Sequence, residues 1–362
     1  MCDNPYAEAQ RQIQICNSCR YCEGYCSAFS SITQNLAFAD GDITQISHLC
    51  HNCRSCYYAC QYVDPHEFAI NLPQALDEVR GKNYEAYAWP SSLAVYFHRR
   101  SEFVVSSILL GIVVVALVSW LLTPTAGVGF YSVMSHATML ALFLPVFIIP
   151  CLSLTIGVRA YWCDVGGERV ALRHVWAAVK HMVSLRNLRG GHGDGCNFER
   201  RERFTMRRRY AHQAIFFGFL LCFAATASGT VLHYVFDRAA PYPLISVPKL
   251  FGITGGVLLV FGCAWMLKLK AFAAKELSDP RHLGADNAVI WLLGLTSLSG
   301  LALYALGNTT IMPVLLIVHL GLVMGFFVIT AYSKMSHGLL RGAALLRDAQ
   351  CRDSDRNGAR FP

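Results

Sequence analysis

Polar and apolar positions are mixed over the first hundred residues; beyond residue 102 the chain turns into long apolar runs separated by short basic segments. The runs are FVVSSILLGIVVVALVSWLL (103–122), ATMLALFLPVFIIPCLSLTI (137–156), HQAIFFGFLLCFAATASGTVLHYVF (212–236), PKLFGITGGVLLVFGCAWML (248–267), NAVIWLLGLTSLSGLALYAL (287–306) and MPVLLIVHLGLVMGFFVITAY (312–332). Crossing a bilayer takes about 20 apolar residues, so each run predicts a membrane helix. Buried helices of a soluble protein are the competing reading, which six nearly uncharged runs disfavour. Upstream, PYAEAQRQIQI and FAINLPQALDEVR predict helices, and SAFSSITQNLAFADGDITQISHL has room for another. The fold class is therefore mainly α. A small helical head over residues 1–95 precedes a six-helix transmembrane bundle over 96–340, and a basic tail covers 341–362. Within the segment 159–210, VALRHVWAAVKHMVSL (170–185) interleaves apolar residues with Arg173, His174, Lys180 and His181, as a helix lying on a membrane surface would. The glycine-rich RGGHGDGC (189–196) reads as a flexible turn, and its His192 and Cys196 are too few for a metal site.

Composition agrees with this division. The chain is 54% hydrophobic and 15% charged, against about a quarter charged in soluble domains. The start, MCDNPYAEAQ, lacks the basic-then-apolar pattern of a secretory signal. Lys and Arg number twelve in 159–209, four in 268–281 and six in 334–360, whereas the alternate loops hold only Arg238. Positive loops stay cytoplasmic, which puts both termini on that side. The net charge of +8 then reflects topology and lipid contact, and no nucleic-acid partner is expected.

The head carries CNSCRYCEGYC (16–26) and CHNCRSCYYAC (50–60), two C-x2-C-x2-C-x3-C tetrads. Three cysteines at this spacing wrap one face of an iron–sulfur cubane, and in two-cluster bacterial ferredoxins the fourth ligates the other cluster. Carried over, Cys16, Cys19, Cys22 and Cys60 would hold one 4Fe–4S cluster, and Cys50, Cys53, Cys56 and Cys26 the second. Zinc would leave the third cysteine of each run idle, and a disulfide framework conflicts with a reducing cytoplasm. Ser27 and Gln61 follow the fourth cysteines where bacterial ferredoxins have proline, which favours a helical, membrane-linked relative. The other seven cysteines, Cys2, Cys151, Cys163, Cys196, Cys222, Cys263 and Cys351, show no such spacing.

Ionisable residues in membrane helices are functional candidates by default. On the last helix, His319 and His337 project from one face, five turns or about 27 Å apart; His212 and His233 on the third helix lie about 31 Å apart and about 60° out of phase. Antiparallel helices then pair His212 with His337 inside and His233 with His319 outside, which suits one or two b-type haems with paired axial histidines. His136 is a reserve ligand should His233 face away.

CRYCEGYC, LCHNCRSCYYACQY with PHEFAINLPQAL, FGFLLCFAATASGTVLHY and the HLG…YSKMSHGLLRGAAL tail together resemble the tricarballylate/citrate utilization protein B family over nearly the whole chain. The module also resembles the C-terminal half of the flavo-iron-sulfur-haem protein of precorrin-3B synthesis. Gln213 after His212, and Met335 before His337, depart from the expected histidine and aromatic residue. The resemblance implies a bacterial inner-membrane protein that reoxidises a cytoplasmic FAD-dependent dehydrogenase acting on tricarballylate. Electrons would pass to the membrane quinone, with no substrate-turnover site in this chain; Tyr332 and Lys334 are candidates for the quinone pocket. The alternatives are the same wire run in reverse, a membrane redox sensor, and a tricarboxylate transporter.

Overall fold

The computed structural model describes residues 4–124, 129–197, 203–238, 240–243 and 245–356, without the side chains of 98, 99, 355 and 356. Cys2 and the last six residues of the basic tail lie outside the described residues. The head contains α1 (Pro5–Cys19), α2 (Ser27–Thr33), α3 (Asp40–Leu49), α4 (Ser55–Tyr58) and α5 (Leu72–Ala86), and α6 (Ser91–Arg99) leads into the membrane body. Local chemistry sets the starts of the two longest head helices. The Asn4 side chain accepts the Tyr6 amide ahead of α1, the Asn71 side chain accepts the Gln74 amide ahead of α5, and each helix has a proline in its first turn.

Among the described residues, six helices are long and apolar enough to cross a membrane: α7 (Ser101–Leu121), α8 (His136–Asp164), α10 (Arg207–Tyr234), α11 (Val247–Phe272), α12 (Leu283–Leu306) and α13 (Met312–Thr330). Lipid offers no hydrophobic drive between helices, so close packing has to supply the association. Glycines supply it at two crossings. A Cβ on Gly111 of α7 would stand 2.5 Å from the Gly321 carbonyl oxygen of α13, and one on Gly255 of α11 would stand 2.8 Å from the Gly218 oxygen of α10. Any larger residue there separates the backbones.

Between α8 and α10 lie α9 (Leu172–Ser184) and a two-stranded hairpin, β1 (Cys196–Asn197) and β2 (Phe204–Thr205). The expected amphipathic helix is α9. Ala178 and Met182 face the head, and Leu172, Trp176, Val179 and Val183 are exposed on the other side. That outward stripe is what a helix resting on a bilayer presents.

The described part of the expected tail is the helix α14 (His337–Arg356). Its Leu340, Ala343, Ala344 and Leu345 are buried in one core with Ile13, Ile32, Ile46 and Val79 of the head and Tyr161 of α8. Polar bonds reinforce this joint. Gln45 Nε2 donates to the Ala344 carbonyl at 2.8 Å, and the Tyr161 hydroxyl donates to Gln45 at 2.7 Å. The α11–α12 loop closes the other flank, where the Asp279 amide donates to Asp77 at 2.9 Å and Asn52 Nδ2 donates to the Leu277 carbonyl at 3.2 Å.

Asp77 is ion-paired with Arg80, and both are largely buried. Burial pushes the Asp77 carboxyl up, but Arg80, Lys334 and the Asp279 amide outweigh it and hold the group well below its ordinary value of 3.8. A depressed carboxyl stabilises the fold fully above its unfolded value and loses that contribution as pH falls through the folded value. Breaking a buried pair by removing one partner costs about 3 kcal/mol or more. Asp77→Asn is therefore expected to lower head stability by about that amount, with a gap from wild type that stays flat from pH 8 to about pH 5 and closes only below about pH 4. Thermal melts of the full chain across that range check it.

Candidate cofactor site

The thiols gather in two groups that mix the tetrads. A cavity of about 250 Å³ is lined by Cys16, Cys19, Cys22 and Cys60 and also by Cys56. A second, smaller pocket is lined by Cys26, Cys50, Cys53 and Cys56. The local backbone explains how. Arg20 and Arg54, each directly after the second cysteine of its tetrad, both take left-handed conformations with φ of 55° and 68°. This turns each loop back on itself at a cost of about 1 kcal/mol per residue. The fourth cysteine of each tetrad is carried past its own loop: Cys26 N-caps α2, and Cys60 follows α4.

The donor set fits iron–sulfur cores. Among the described residues no three His, Cys, Asp or Glu side chains close on one point, as a single tetrahedral ion requires, whereas thiols around a cavity suit a multi-atom core. Backbone amides already aim at sulfur: Asn52 N donates to Cys50 Sγ and Tyr62 N to Cys60 Sγ, each at 3.4 Å. Burial, then Cys60 and the other thiols of the group, pushes Cys16 up to about 12; burial, then Cys53 and Cys50, does the same for Cys26. Thiolates so crowded need a cationic core between them.

The two groups differ in access. Cys19 is exposed, and Tyr21 beside it is 68% exposed. The second group is covered by the glycine-rich segment, and here the expectation of a flexible turn is corrected. The Gly191 amide donates to Ser55 Oγ at 3.2 Å, and the His192 ring meets the Tyr25 hydroxyl at 2.9 Å. A Cβ at Gly190 would stand 1.9 Å from the Gly195 oxygen, and one at Gly191 2.4 Å from the Tyr25 ring. These glycines serve close approach over the thiols. Cys196 is fully buried, with its thiol facing the Leu188 carbonyl.

Behind the second group lies a cavity of about 320 Å³, and His51, Asn52 and Arg54 line both spaces. Its apolar wall includes Ile215, Met266, Val289 and Leu293, and His212 and His337 face it. Their ring centroids are 6.0 Å apart with planes at 84°. Two imidazoles on opposite sides of one iron, each nitrogen about 2 Å from the metal, have centroids about 6 Å apart. The Lys334 carbonyl holds His337 Nδ1, which leaves Nε2 for a metal. His212 Nδ1 is buried without a hydrogen-bond partner among the described residues.

The route to this pair differs from the expected one. α13 ends at Thr330, the Ser333 side chain accepts the Met335 amide to open a 3-10 turn, and His337 begins α14. His319 and His337 therefore do not share one helix, because a serine cap and Lys334 interrupt the apolar period. His319 Nδ1 lies 3.0 Å from Ser299 Oγ on α12. His233 stacks on His136, centroids 4.4 Å apart and planes at 24°. The structure thus brings together His212 with His337 and His233 with His136, and sets His319 against Ser299. Of the two quinone-pocket candidates, Tyr332 stacks on Phe97 and donates to the Trp89 carbonyl, whereas Lys334 pairs with Asp286.

Comparison with known proteins covers both parts of the chain. A family model described as Citrate utilization protein B matches residues 98–359, and one described as Citrate utilization protein B Fer4-like domain matches residues 9–86. The Citrate utilization protein B of Escherichia coli is 39% identical over 348 residues, 95% of this chain and 92% of its own length. No solved structure matches.

The mixed grouping of thiols has a sharp consequence. The double variant Cys16→Ser/Cys60→Ser, which empties one group, is expected to keep about half of the wild-type iron, and Cys26→Ser/Cys60→Ser, which breaks both, to keep almost none. Iron and labile sulfide assays on anaerobically purified protein separate this from tetrads that each close on themselves.

Proposed function

The chain belongs to the citrate utilization protein B family, and we propose that it carries electrons from a reduced cytoplasmic FAD-dependent dehydrogenase of tricarballylate type to the membrane quinone. The charge pattern of the loops supports a bacterial inner-membrane orientation with both termini cytoplasmic. Two 4Fe–4S clusters on the mixed thiol groups and one b-type haem on His212 and His337 would supply one-electron carriers between a two-electron flavin and a two-electron quinone that the bilayer keeps apart.

The chain's own residues prepare each station. Cys19 and Tyr21 leave the first thiol group open to a soluble partner, and Gly190–Gly191 pack against Tyr25 and Ser55 beside the second. Arg80 and Arg341 donate to the Cys50 carbonyl at 2.9 and 2.8 Å, placing fixed positive charge beside the second group. The observation that carries the reading is continuity. The wall of His51, Asn52 and Arg54 is shared by the second thiol pocket and the histidine cavity, so soluble and membrane sites adjoin.

Detergent-solubilised protein is expected to show sharp reduced b-type bands over broad iron–sulfur absorption. His337→Ala should remove the sharp bands and spare head iron, whereas His319→Ala should keep them. With its flavoprotein partner in liposomes, the protein should reduce quinone at the expense of tricarballylate. Quinone that stays oxidised while the flavin is fully reduced refutes the proposal and leaves the redox-sensor reading. Substrate uptake by protein lacking haem favours the transporter.

A further inference from the structure

The histidine cavity has a strongly basic lining. Seven Arg and Lys side chains line it against two carboxylates, Asp77 and Asp286. On the head side Asp77 balances Arg80, while Arg54, Arg208 and Arg341 donate to the carbonyls of Ala274, Asn52 and Cys50. On the membrane side Lys270 and Lys334 both pair with Asp286, which is 5% exposed; Lys270 Nζ stands 3.7 Å from it. One carboxylate thus faces two ammonium groups at the mouth of an apolar slot. Two ammonium groups against one carboxylate leave a surplus of positive charge, which favours an anion. Next to them, the Asn287 side-chain oxygen is buried without a hydrogen-bond partner among the described residues, and Asn287 also lines the cavity. Flipped, that amide presents an N–H donor to an anion.

We infer that Lys270 and Lys334 form a carboxylate site, taking the two carboxylates of a metalloporphyrin whose iron lies between His212 and His337. This rests on the haem reading above and adds the residues that orient the ring. The apolar residues Ile215, Met266 and Leu293 line the same slot. Lysine suits the role as a compact charge with three donors that meets a carboxylate without a fixed plane.

Protohaem and its dimethyl ester differ only at the carboxylates and provide the test. Haem-free full-length protein in nanodiscs, with its head intact, is titrated with each and followed by the low-spin Soret band. Wild type is expected to bind protohaem at least about tenfold more tightly than the ester. Lys270→Met and Lys334→Gln should each cut that preference to about threefold or less, with an unchanged low-spin spectrum. Equal affinity in wild type, which needs no variant to fold, overturns the carboxylate site while the histidine ligation stands. So does a preference that survives both substitutions. If neither porphyrin gives a low-spin spectrum, the haem reading falls and this inference with it. Binding of tricarballylate to haem-loaded wild type, abolished by Lys270→Met, would assign these lysines to a free tricarboxylate and overturn the proposal.

Discussion

Arg80 of α5 and Arg341 of α14 both donate to the carbonyl of Cys50. That one oxygen joins the soluble head, the second thiol group and the helix that follows the last membrane span. Two buried guanidiniums near one another repel, and burial with Arg80 and Arg208 nearby draws Arg341 down to about 10, partly offset by Tyr84 and Cys50. What makes the arrangement tolerable is that each hydrogen bond ends on a fixed carbonyl and that Asp77 balances Arg80. The position of α14 follows from this tie. With Leu340 and Ala344 in the head core, His337 at its first residue is brought to His212.

The sequence discloses what local patterning controls. Six runs of membrane length became six helices, since the bilayer requires every backbone group to be satisfied within the segment. The tetrads were legible because three cysteines at that spacing leave few other geometries, and the apolar face of α9 could be read from its period. Features set by distant contacts were not legible. The apolar run through Ala331 and Tyr332 conceals the break before His337, which rests on a Ser333 cap and on the docking of α14 some 300 residues from its partners in the head. RGGHGDGC reads as a flexible turn because glycine permits both freedom and close approach, and the Tyr25 ring beneath it decides between them. His136 and His233 meet because their helix ends do, which no spacing within either helix reveals.

Glycine contacts also decide where a ligand can fit. They draw α7 onto α13 and α10 onto α11, leaving two tight pairs. Across the boundary between these pairs the approach is by long side chains, such as Phe219 on α10 and Phe326 on α13, with centroids 5.9 Å apart. Backbones held apart by aromatic rings leave more room than backbones in contact at glycine. His212 lies on α10, at the end of this looser seam nearest the head, and His337 reaches it from α14.

Charge is ordered along the same axis. Thiols whose ionised form is negative occupy the head, a layer of arginine and lysine follows, then the histidine pair, then an apolar bundle. A cationic layer between an anionic cluster and a low-dielectric slot lowers the energy of negative charge on either side of it. Burial keeps that field strong, because screening by water and salt falls off where Arg54, Arg80 and Asp286 are nearly inaccessible. The basic residues of the loop segments and those that line the cavity are in part the same ones: Arg208, Lys270, Lys275, Lys334 and Arg341 all lie in the positive segments.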